Sequence, residues 1–522
     1  MTVMNCAHGL IDTLSERPRA PAVRGPRGTL SRGALAHNIE RWVRLLARHG
    51  VNRGERVIIQ VPNGAPFAAA ATAVLARAAV PVFAEASLGD TVYQARMRHA
   101  EPAVQIVHPL VRMLQRIAPA RRWLRQRDVV VPPRLAADAG GRVVWFRPMR
   151  TPTSMSASIP VTEAQPDDDA VVVFTSGSTQ APKGVRLSHT AIDHYLKNIG
   201  AITDWSAIDD VLVDHPQQVL YALRLGKTVW TTRGQRHLRA ADVRAHLSAG
   251  RVQAYFGSPA TWTTVLDGLP ADHMFPSSLR LVLLGGAPVT RGFLQRLRQH
   301  LHAQTKVLVL YGLTEIGPAC FCDAEEKLAF SGAGNYVGRP LPGVQVSIAA
   351  DGEVILESPS LYSGYLHHPP REANEGLRTG DLGTLIDSGN APALVLQGRK
   401  KDMVLRDGVN IYPALLEPLL AECADAEGPI FSDAALVGVW NARKQDEDLV
   451  LCYCPRDARL TPESVRQHVL ARLEADVAPD HYVALSALPY GGRQNKLDRR
   501  RLAELAASQL GRTASAPADT PG

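Results

Sequence analysis

Apolar residues in the first part of the chain alternate between helical spacing and short continuous runs. Helical spacing extends from Leu30 to His49, and residues 56–61 form an apolar run typical of a buried strand. An alanine-rich helix is predicted from Pro66 to Ala78, and the run from Val80 to Phe83 predicts a further strand. Because strands that alternate with helices build parallel sheets, the pattern predicts an α/β protein.

The same alternation returns in the middle of the chain. The predicted helices are Ala191 to Ile202 and Arg291 to His302, and the predicted strands are Val211 to Val213, Thr228 to Trp230, Leu281 to Leu284 and Val307 to Leu310. Residues 128–167 contain several prolines and are predicted to be an irregular connection between two sheet-containing halves. Short strands with Gly and Pro turns predict a β-rich subdomain from Gly334 to Leu396.

The pattern predicts one large and one small domain. Residues 1–398 would form a large N-terminal domain of two parallel-type sheets plus the β-rich subdomain. The charged run 399–402 would be a hinge, and residues 403–511 a small α+β C-terminal domain. The tail 512–522 is rich in Ala, Pro and Thr and is predicted to be disordered.

Length and composition fit a large enzyme. The chain has 522 residues, 45% of them hydrophobic, so more than one domain with a sizeable core is expected. No stretch approaches the roughly 20 apolar residues that span a bilayer, and we expect no stable membrane insertion. The first residues lack a basic and an apolar signal region, which predicts a cytoplasmic protein. The six cysteines lack C-x₂-C spacing and are predicted to be reduced thiols.

The net charge of +8 raises the question of nucleic-acid binding, and arginines cluster at 121–127 and 499–501. No recognition motif accompanies these clusters, and charge runs are usually solvated surfaces. We therefore expect no nucleic-acid partner. An anionic partner such as a nucleotide, coenzyme A or an acidic carrier protein would also suit a basic surface.

A loop rich in hydroxyl groups follows the apolar run 171–173 and reads Thr-Ser-Gly-Ser-Thr-Gln-Ala-Pro-Lys-Gly over residues 175–184. Small residues let backbone N–H groups approach an anion, while hydroxyls and a lysine add donors and positive charge. A surface turn with a solvated lysine is the alternative. The loop is neither a Walker sequence nor G-x-G-x-x-G, which disfavours a P-loop kinase or a dehydrogenase. The candidate phosphate-binding residues are Thr175, Ser176, Gly177, Ser178, Thr179 and Lys183.

A second candidate segment, Tyr311-Gly312-Leu313-Thr314-Glu315, follows the predicted strand 307–310. Ligands of α/β sheets bind at the carboxyl ends of strands, so this position favours a functional role. A core tyrosine followed by an exposed glutamate is the alternative. Three further segments are Gly285-Gly286-Ala287-Pro288, Thr379-Gly380-Asp381 and the loop that contains Lys496, each of which could also be an ordinary turn or a solvated charge.

Taken in order, these segments resemble the motifs of the adenylate-forming (AMP-binding) superfamily, which includes acyl-CoA synthetases, firefly luciferase and peptide-synthetase adenylation domains. Six matches run in family order from Thr175 to Lys496, and weaker likeness extends toward residue 10. The chain departs from the family at Gln180, where the family has glycine, and at Asn495, where glycine is usual before the lysine. Asparagine tolerates the left-handed conformation.

The resemblance implies a role for each matched segment. Residues 1–398 would bind AMP, and the small domain would rotate between two half-reactions with Lys401 at the pivot and residues 407–410 along a pantetheine tunnel. The implied adenine contacts are Tyr311, with Gly312 beside it, and the turn of Gly285, Gly286, Ala287 and Pro288; Asp381 and Arg399 would meet the ribose, Thr314 the α-phosphate and Glu315 Mg²⁺. The implied catalytic residues are Lys496, Thr179, Glu315 and His215.

The implied reaction joins a small-molecule carboxylic acid to the α-phosphate of ATP and releases pyrophosphate. A thiol of coenzyme A or of a phosphopantetheine carrier, such as an acyl carrier protein, then displaces AMP. His215 matches the family histidine that borders the carboxylate, and Asp214 would suit an amino acid. Because the two are predicted to be neighbours in a strand, only one can point inward. Apolar residues such as Val219, Leu220 and Leu225 favour a fatty or other apolar acid.

Three alternatives stay open on the sequence. The first is a β-lactone synthetase acting on a β-hydroxy acid, suggested by a faint likeness of the N-terminal third that includes residues 100–103. The second is amino-acid adenylation for a peptide synthetase. The third is a non-catalytic adenylate-binding relative, suggested by Gln180 and Asn495.

Overall fold

The structure is a computed structural model that describes residues 5–25, 28–83, 90–109, 113, 142–145, 149, 158–174, 183–213, 215–231, 240–372, 375–389, 391–406, 409–444, 446–457, 459–491, 496–512 and 514. The chain divides into two compact units. Unit 1 comprises Met1–Glu325, Pro340–Gln345 and Glu357–Glu375, and unit 2 comprises Glu326–Arg339, Val346–Leu356 and Gly376–Gly522. The α/β class is confirmed, whereas the hinge at 399–402 stays a prediction.

Helices and strands alternate through most of unit 1, and further helices lie in unit 2. The helices are α1 Ala7–Glu16, α2 Arg32–Arg48, α3 Ala65–Ala76, α4 Asp90–Ala100, α5 His189–Ala201, α6 Pro216–Arg224, α7 Ala240–Ser248, α8 Pro259–Asp267, α9 Arg291–Gln299, α10 Ala324–Ala329, α11 Pro413–Leu420, α12 Pro462–Leu470 and α13 Arg499–Leu510. The strands up to Asp323 are β1 Pro21–Gly25, β2 Gly28–Ser31, β3 Arg56–Gln60, β4 Val80–Phe83, β5 Val104–Val107, β6 Arg142–Trp145, β7 Asp169–Phe174, β8 Gly184–Ser188, β9 Asp210–Val213, β10 Thr228–Trp230, β11 Ala254–Gly257, β12 Leu281–Leu284, β13 Lys306–Leu313 and β14 Gly317–Asp323.

Short strands dominate the rest of the chain. They are β15 Asn335–Pro340, β16 Gln345–Ile348, β17 Glu353–Glu357, β18 Gly364–Tyr365, β19 Leu377–Asp387, β20 Pro392–Arg399, β21 Val404–Arg406, β22 Val409–Ile411, β23 Ala424–Asp425, β24 Gly428–Pro429, β25 Phe431–Asn441, β26 Asp446–Pro455, β27 His481–Ala484, β28 Tyr490–Gly491 and β29 Lys496–Leu497. No helix of the described part of the chain is long and apolar enough to cross a membrane.

Unit 1 contains two mostly parallel sheets. In one, the strands follow the order β14-β13-β12-β11-β9-β10-β1-β2, parallel from β13 to β1 with an antiparallel strand at each end. In the other, the order is β18-β8-β7-β4-β3-β5-β6, parallel from β7 to β6. Strand β6 lies inside the stretch 128–167 that the sequence analysis predicted to be irregular, and that prediction is wrong there: residues 142–145 pair with the buried strand β5.

Burial explains why these elements form. Strand β12 is buried at every position, as expected for a parallel strand covered on both faces. Helix α3 buries Phe67 through Ala76, and its alanines permit close approach of neighbouring backbone. The hydroxyl groups of Ser31 and Ser188 each accept a hydrogen bond from a backbone N–H in the first turn of α2 and α5, which fixes where those helices begin.

Unit 2 combines a mostly antiparallel sheet, a three-stranded mixed sheet of β25, β26 and β27, and packed helices. Strands β16, β17, β19, β20 and β15 lie side by side in that order. Strand β25 alternates its buried side chains, because Leu436 packs with one hydrophobic cluster and Val437 with another on the opposite face. Gly398 and Arg399 end β20, and residues 400–402 form a single 3₁₀ turn.

Candidate active site

The carboxyl ends of the parallel strands in the first sheet of unit 1 carry several predicted site residues. His215 follows β9, the turn from Gly285 to Pro288 follows β12, and Tyr311 lies in β13. A Cβ on Gly285 would lie 3.4 Å from the Leu310 carbonyl oxygen, so this turn runs directly beside β13. Strand β9 is three strands from β13, roughly 14 Å at the usual strand spacing. One edge of the sheet therefore presents both the predicted adenine segments and the predicted acid-binding histidine.

A tight hairpin between β13 and β14 fixes Thr314 and Glu315. Tyr311 and Gly312 lie within β13 and pair with β14, so the prediction that the strand ends at Leu310 is wrong. A Cβ on Gly312 would lie 1.9 Å from the Gly317 carbonyl oxygen. Gly317 has φ +78°, and a Cβ there would lie 1.9 Å from the Tyr195 ring. Neither position has room for a side chain, so the hairpin requires glycine at both.

Tyr365 connects the predicted metal ligand with the predicted phosphate lysine. Its hydroxyl donates a hydrogen bond of 3.0 Å to Oε1 of Glu315. The Lys183 ammonium lies 5.3 Å from the centroid of the same ring, in cation–π geometry. The Tyr362 N–H donates to the Glu315 carbonyl oxygen at 2.8 Å, which joins the backbone of the two segments. Lys183 and Glu315 therefore meet at one aromatic side chain.

Both tyrosines of this group are neutral. Burial and the negative charge of Glu315 raise the pKa of Tyr365. Burial also raises the pKa of Tyr362, whose ring centroid lies 5.0 Å from that of Tyr365. A neutral phenol can orient a carboxylate without cancelling its charge, so Glu315 keeps its attraction for a cation.

In unit 2, Asp381 and Arg399 face each other across β19 and β20. Oδ1 of Asp381 lies 2.9 Å from Nε of Arg399, and Asp381 is only 4% exposed. Thr379, Gly380 and Asp381 all belong to β19, and the Gly380 N–H donates to Glu353 at 2.9 Å. The predicted ribose-binding carboxylate is thus built into a strand and paired with the predicted ribose-binding guanidinium.

A charge cluster adjoins this pair. Arg378 contacts both Asp351 and Glu353, and Lys400 lies 2.8 Å from Asp351. Burial opposes ionisation of Glu353, but the hydrogen bonds from Gly380 and Arg378 outweigh it and lower the pKa of that carboxyl. The same side chains therefore fix the Gly380 backbone and the start of the 3₁₀ turn.

Lys496 lies in the short strand β29, where it pairs with Gly491. Three residues later, Arg499 makes a 2.6 Å ion pair with Glu417, which anchors the chain after the lysine. Residues 492–495 lie outside the described part of the chain. So do the predicted phosphate-binding residues Thr175, Ser176, Gly177, Ser178 and Thr179, and also Gln180, Asp214 and residues 407–408.

His215 differs from its predicted setting. Strand β9 ends at Val213, and His215 is the N-cap residue of α6, so the prediction that His215 lies in a strand is wrong. Its N–H donates to the Gln218 side chain at 3.0 Å, which explains the change from strand to helix. Val219 and Leu220 lie on α6 and are buried in the core.

Three tyrosines of this region were not predicted from the sequence. Tyr365 and Tyr362 contact Glu315 from a segment about 50 residues away, and Tyr195 packs against Gly317. The Tyr195 and Tyr221 rings lie 4.9 Å apart, and burial raises the pKa of Tyr195 to about 12. The sequence feature that could have drawn attention to Tyr365 is the preceding glycine, Gly364. A glycine does not indicate that the tyrosine contacts Glu315.

Known proteins resemble the chain over different lengths. A methyl-dioxo-octahydroindenyl-propanoyl:CoA ligase of Rhodococcus jostii is 28% identical over 301 residues, which is 56% of each chain. The chain thus spans about half the length of the first curated relatives it matches. An L-proline–[L-prolyl-carrier protein] ligase of Pseudomonas fluorescens is 25% identical across 95% of this chain and 98% of its own. An olefin beta-lactone synthetase of Xanthomonas campestris is 26% identical across 97% and 98%.

Solved structures match the fold. An amide bond synthetase from Marinactinospora thermotolerans superimposes with a TM-score of 0.76 at 25% identity, covering 96% of this chain and 99% of that chain. An o-succinylbenzoate CoA synthetase from Bacillus subtilis gives 0.74 at 20% identity, covering 96% and 98%. The family model described as AMP-binding enzyme matches residues 11–366. The resemblance read from the motifs is confirmed, and the chain belongs to the AMP-binding enzyme family.

Proposed function

We propose that the chain is an AMP-forming acid–thiol ligase. It joins a carboxylic acid to the α-phosphate of ATP, releases pyrophosphate, and transfers the acyl group to the thiol of coenzyme A or of a carrier-protein pantetheine. Family membership supports this reaction. The observation that carries the proposal is the meeting of Glu315 and Lys183 at Tyr365, with the glycine turn after β12 beside the strand that carries Tyr311.

The main obstacle to the reaction is electrostatic, because a carboxylate must approach a triphosphate. Lys183 is exposed and stands immediately before β8, where its ammonium can offset phosphate charge. In this proposal Lys496 neutralises charge at the attacked phosphorus, and the hydroxyls of residues 175–179, Thr179 among them, donate to phosphate oxygens. Thr314, which lies in the turn between β13 and β14, would donate to the α-phosphate.

Glu315 fits a Mg²⁺ ligand. Among the described residues, Oε1 accepts the Tyr365 hydrogen bond and Oε2 accepts none. Mg²⁺ prefers oxygen ligands and usually binds through one or two carboxylates plus substrate phosphates and water. Bound there with ATP, the ion would offset phosphate charge and orient the leaving pyrophosphate.

The nucleoside contacts follow from the remaining site residues. The turn from Gly285 to Pro288 and the ring of Tyr311 would hold adenine, and Gly286, with φ +82°, lets this turn run close to a flat base. Asp381, presented by β19, would accept hydrogen bonds from the ribose hydroxyls, with Arg399 beside it. Residues 399–402 would act as the hinge of a mobile domain 403–511.

The acid is proposed to be fatty or otherwise apolar, bound near His215. A specific observation favours a second candidate, β-lactone formation from a β-hydroxy acid, because the olefin beta-lactone synthetase relative matches nearly the whole chain. A panel test separates these functions. Pyrophosphate release is measured with fatty, aryl, β-hydroxy and amino acids, each with coenzyme A, with a pantetheinylated carrier protein, with an amine, or with no acceptor.

Thiol-dependent turnover of apolar acids supports the ligase. Turnover restricted to β-hydroxy acids without a thiol supports the second candidate, and turnover restricted to amino acids replaces both. An amine requirement assigns a different acceptor. Absence of pyrophosphate release with every acid, together with intact ATP binding, contradicts catalysis and leaves a nucleotide-binding relative.

The proposed role of Lys496 has its own test. Lys496→Ala should abolish adenylation and spare ATP binding, because the lysine acts on charge that develops during attack. Exchange of labelled pyrophosphate into ATP measures the first, and calorimetry the second. Lys197→Ala is the control, since Lys197 is 63% exposed and, within the part of the chain that the structure describes, forms an ion pair with its helix neighbour Asp193 alone. Unchanged exchange in Lys496→Ala would reject the role.

A further inference from the structure

A short strap, strand β18, contacts the Glu315 carboxylate through the Tyr365 hydroxyl. Strand β18, residues 364–365, pairs with β8 so that Tyr365 lies opposite Val185, two residues after Lys183. Gly364 has φ +136°, and a Cβ there would lie 3.3 Å from the Arg371 backbone nitrogen. The strap is therefore fixed by backbone pairing on one side and by close packing on the other.

The strap places two separate chemical groups of Tyr365. The hydroxyl reaches Oε1 of Glu315 at 3.0 Å, and the ring face meets the Lys183 ammonium at 5.3 Å from its centroid. The hydroxyl can be removed without the ring by substitution with phenylalanine. The two contacts can thus be tested one at a time.

The hydroxyl changes how the carboxylate can bind a cation. A hydrogen bond to an ionised oxygen is strong, so Oε1 is engaged while Oε2 accepts no hydrogen bond from the described residues. Coordination through both oxygens would require Oε1 to weaken or give up the phenol. Coordination through Oε2 alone leaves that bond intact.

Divalent cations differ in which of these two modes they use. Mg²⁺ demands near-octahedral geometry at about 2.0–2.1 Å and tolerates a single carboxylate oxygen, whereas Ca²⁺ binds at about 2.3–2.6 Å and readily takes both oxygens. A fixed donor on one oxygen therefore penalises Ca²⁺ more than Mg²⁺.

We propose that Tyr365 is a positioning residue that restricts Glu315 to single-oxygen coordination and thereby makes the nucleotide site selective for Mg²⁺ over Ca²⁺. The inference rests on the proposed function, because it takes Glu315 as the ligand of the nucleotide-bound cation. The ring of Tyr365 acts separately, by holding Lys183 near the phosphate site.

The test measures ATP binding by calorimetry without an acid substrate, so that no turnover is needed. The dissociation constant is determined for the whole chain in EDTA, in Mg²⁺ and in Ca²⁺. For Tyr365→Phe we expect an unchanged constant in EDTA and a fall of about tenfold in the preference for Mg²⁺ over Ca²⁺, the value of one hydrogen bond to a charged group. Tyr365→Leu should in addition weaken binding in EDTA about threefold, through loss of the cation–π contact.

Tyr482→Phe is the matched control, because the Tyr482 hydroxyl is buried and has no hydrogen-bond partner among the described residues. It should leave all three constants unchanged, and thermal unfolding checks that each variant is folded. If Tyr365→Phe binds ATP normally but keeps the Mg²⁺ preference of the wild type, the inference is overturned and the proposed function survives. If the wild-type chain binds no ATP under any condition, both are overturned.

Discussion

Glu315 in unit 1 and Asp381 in unit 2 are both proposed to contact the nucleotide, yet the protein holds them by different chemistry. A neutral phenol orients Glu315, whereas a guanidinium pairs with Asp381. A phenol leaves the carboxylate with its full negative charge, and a guanidinium neutralises it. Glu315 is therefore the carboxylate that can attract a cation, whereas Asp381 is suited to hydrogen bonds with neutral hydroxyl groups.

The contrast extends beyond these two residues. In unit 2, Glu353 is paired with Arg378, and Asp448 with Lys444. Burial would raise the pKa of Asp448, but hydrogen bonds from Lys444, Arg512, His481 and Asn441 lower it. In unit 1, His189 is fully buried and accepts the Cys6 N–H at Nδ1, which requires a neutral ring. Pairing thus stabilises the buried charge of Asp448, whereas the buried His189 stays neutral.

The largest effect is expected from removing the charge of Glu315. In Glu315→Gln the amide oxygen can still accept from Tyr365, so the fold is retained while the attraction for Mg²⁺ is lost. We expect kcat for pyrophosphate release to fall about 10²- to 10³-fold, as for other groups that stabilise charge in the transition state. Steady-state kinetics with saturating acid measure it.

Glu357→Gln is the control for this variant, because Glu357 is an exposed carboxylate of the same unit. Asp381→Asn supplies the comparison, since its charge is already paired, and we expect mainly a rise of about tenfold in KM for ATP. A loss of kcat in Asp381→Asn as large as in Glu315→Gln would end the distinction between the two carboxylates.

The next effect tests the hairpin that positions Glu315. Gly317→Ala would place a methyl group 1.9 Å from the Tyr195 ring at φ +78°. Gly343→Ala meets nothing within 4 Å at φ +75°, so it carries the same backbone strain without the clash. We expect the first to cost about 3 kcal/mol of unfolding free energy and the second about 1 kcal/mol. Urea denaturation of both variants measures the difference in unfolding free energy. Equal losses in the two variants would show that the Tyr195 ring moves aside without an energetic cost.

The sequence sufficed for the parts of the site that depend on local pattern. Apolar runs predicted strands at β3, β4, β9, β10, β12 and β13 but not at β1, β5, β6 or β11, and the carboxyl-end rule favoured a functional role for the segment that begins at Tyr311. It could not supply the Glu315–Tyr365 contact, because the pairing of β18 with β8 joins segments about 180 residues apart. The prediction that His215 lies in a strand failed because a hydrogen bond from its N–H to the Gln218 side chain, which hydropathy patterns do not show, marks the start of α6.

Lowering the pH should destabilise the protein through His189, the neutral buried histidine of unit 1. Burial lowers the pKa of His189 from 6.5 to about 4, so the unfolded chain binds the proton more tightly. Stability is therefore lost as pH falls from 6.5 toward 4, by about 2 kcal/mol between pH 7 and pH 5. His189→Asn keeps an acceptor for the Cys6 N–H and cannot titrate, so it should remove this slope. Asp448 has a lowered pKa, and its contribution is lost only at pH below about 4.

The test is the urea denaturation midpoint of the wild type and of His189→Asn at pH 7, 6 and 5. An identical slope in His189→Asn and the wild type would mean that other groups carry the acid sensitivity in this range. Asp448→Asn is the matched comparison from unit 2, and it should leave the slope between pH 7 and pH 5 unchanged.

The smallest effect concerns the ion pair of unit 2. Arg399→Gln leaves the buried Asp381 without its guanidinium, whereas Asp381→Asn leaves an Arg399 side chain that is 46% exposed and can be solvated. Because breaking a pair costs most when the remaining charge is buried, Arg399→Gln should lose about 1 kcal/mol more unfolding free energy than Asp381→Asn. The full penalty of a buried pair does not apply, since water already screens the arginine. Urea denaturation at pH 7 measures both variants, and a larger loss in Asp381→Asn would mean that β19 depends on this carboxylate for more than its charge pairing.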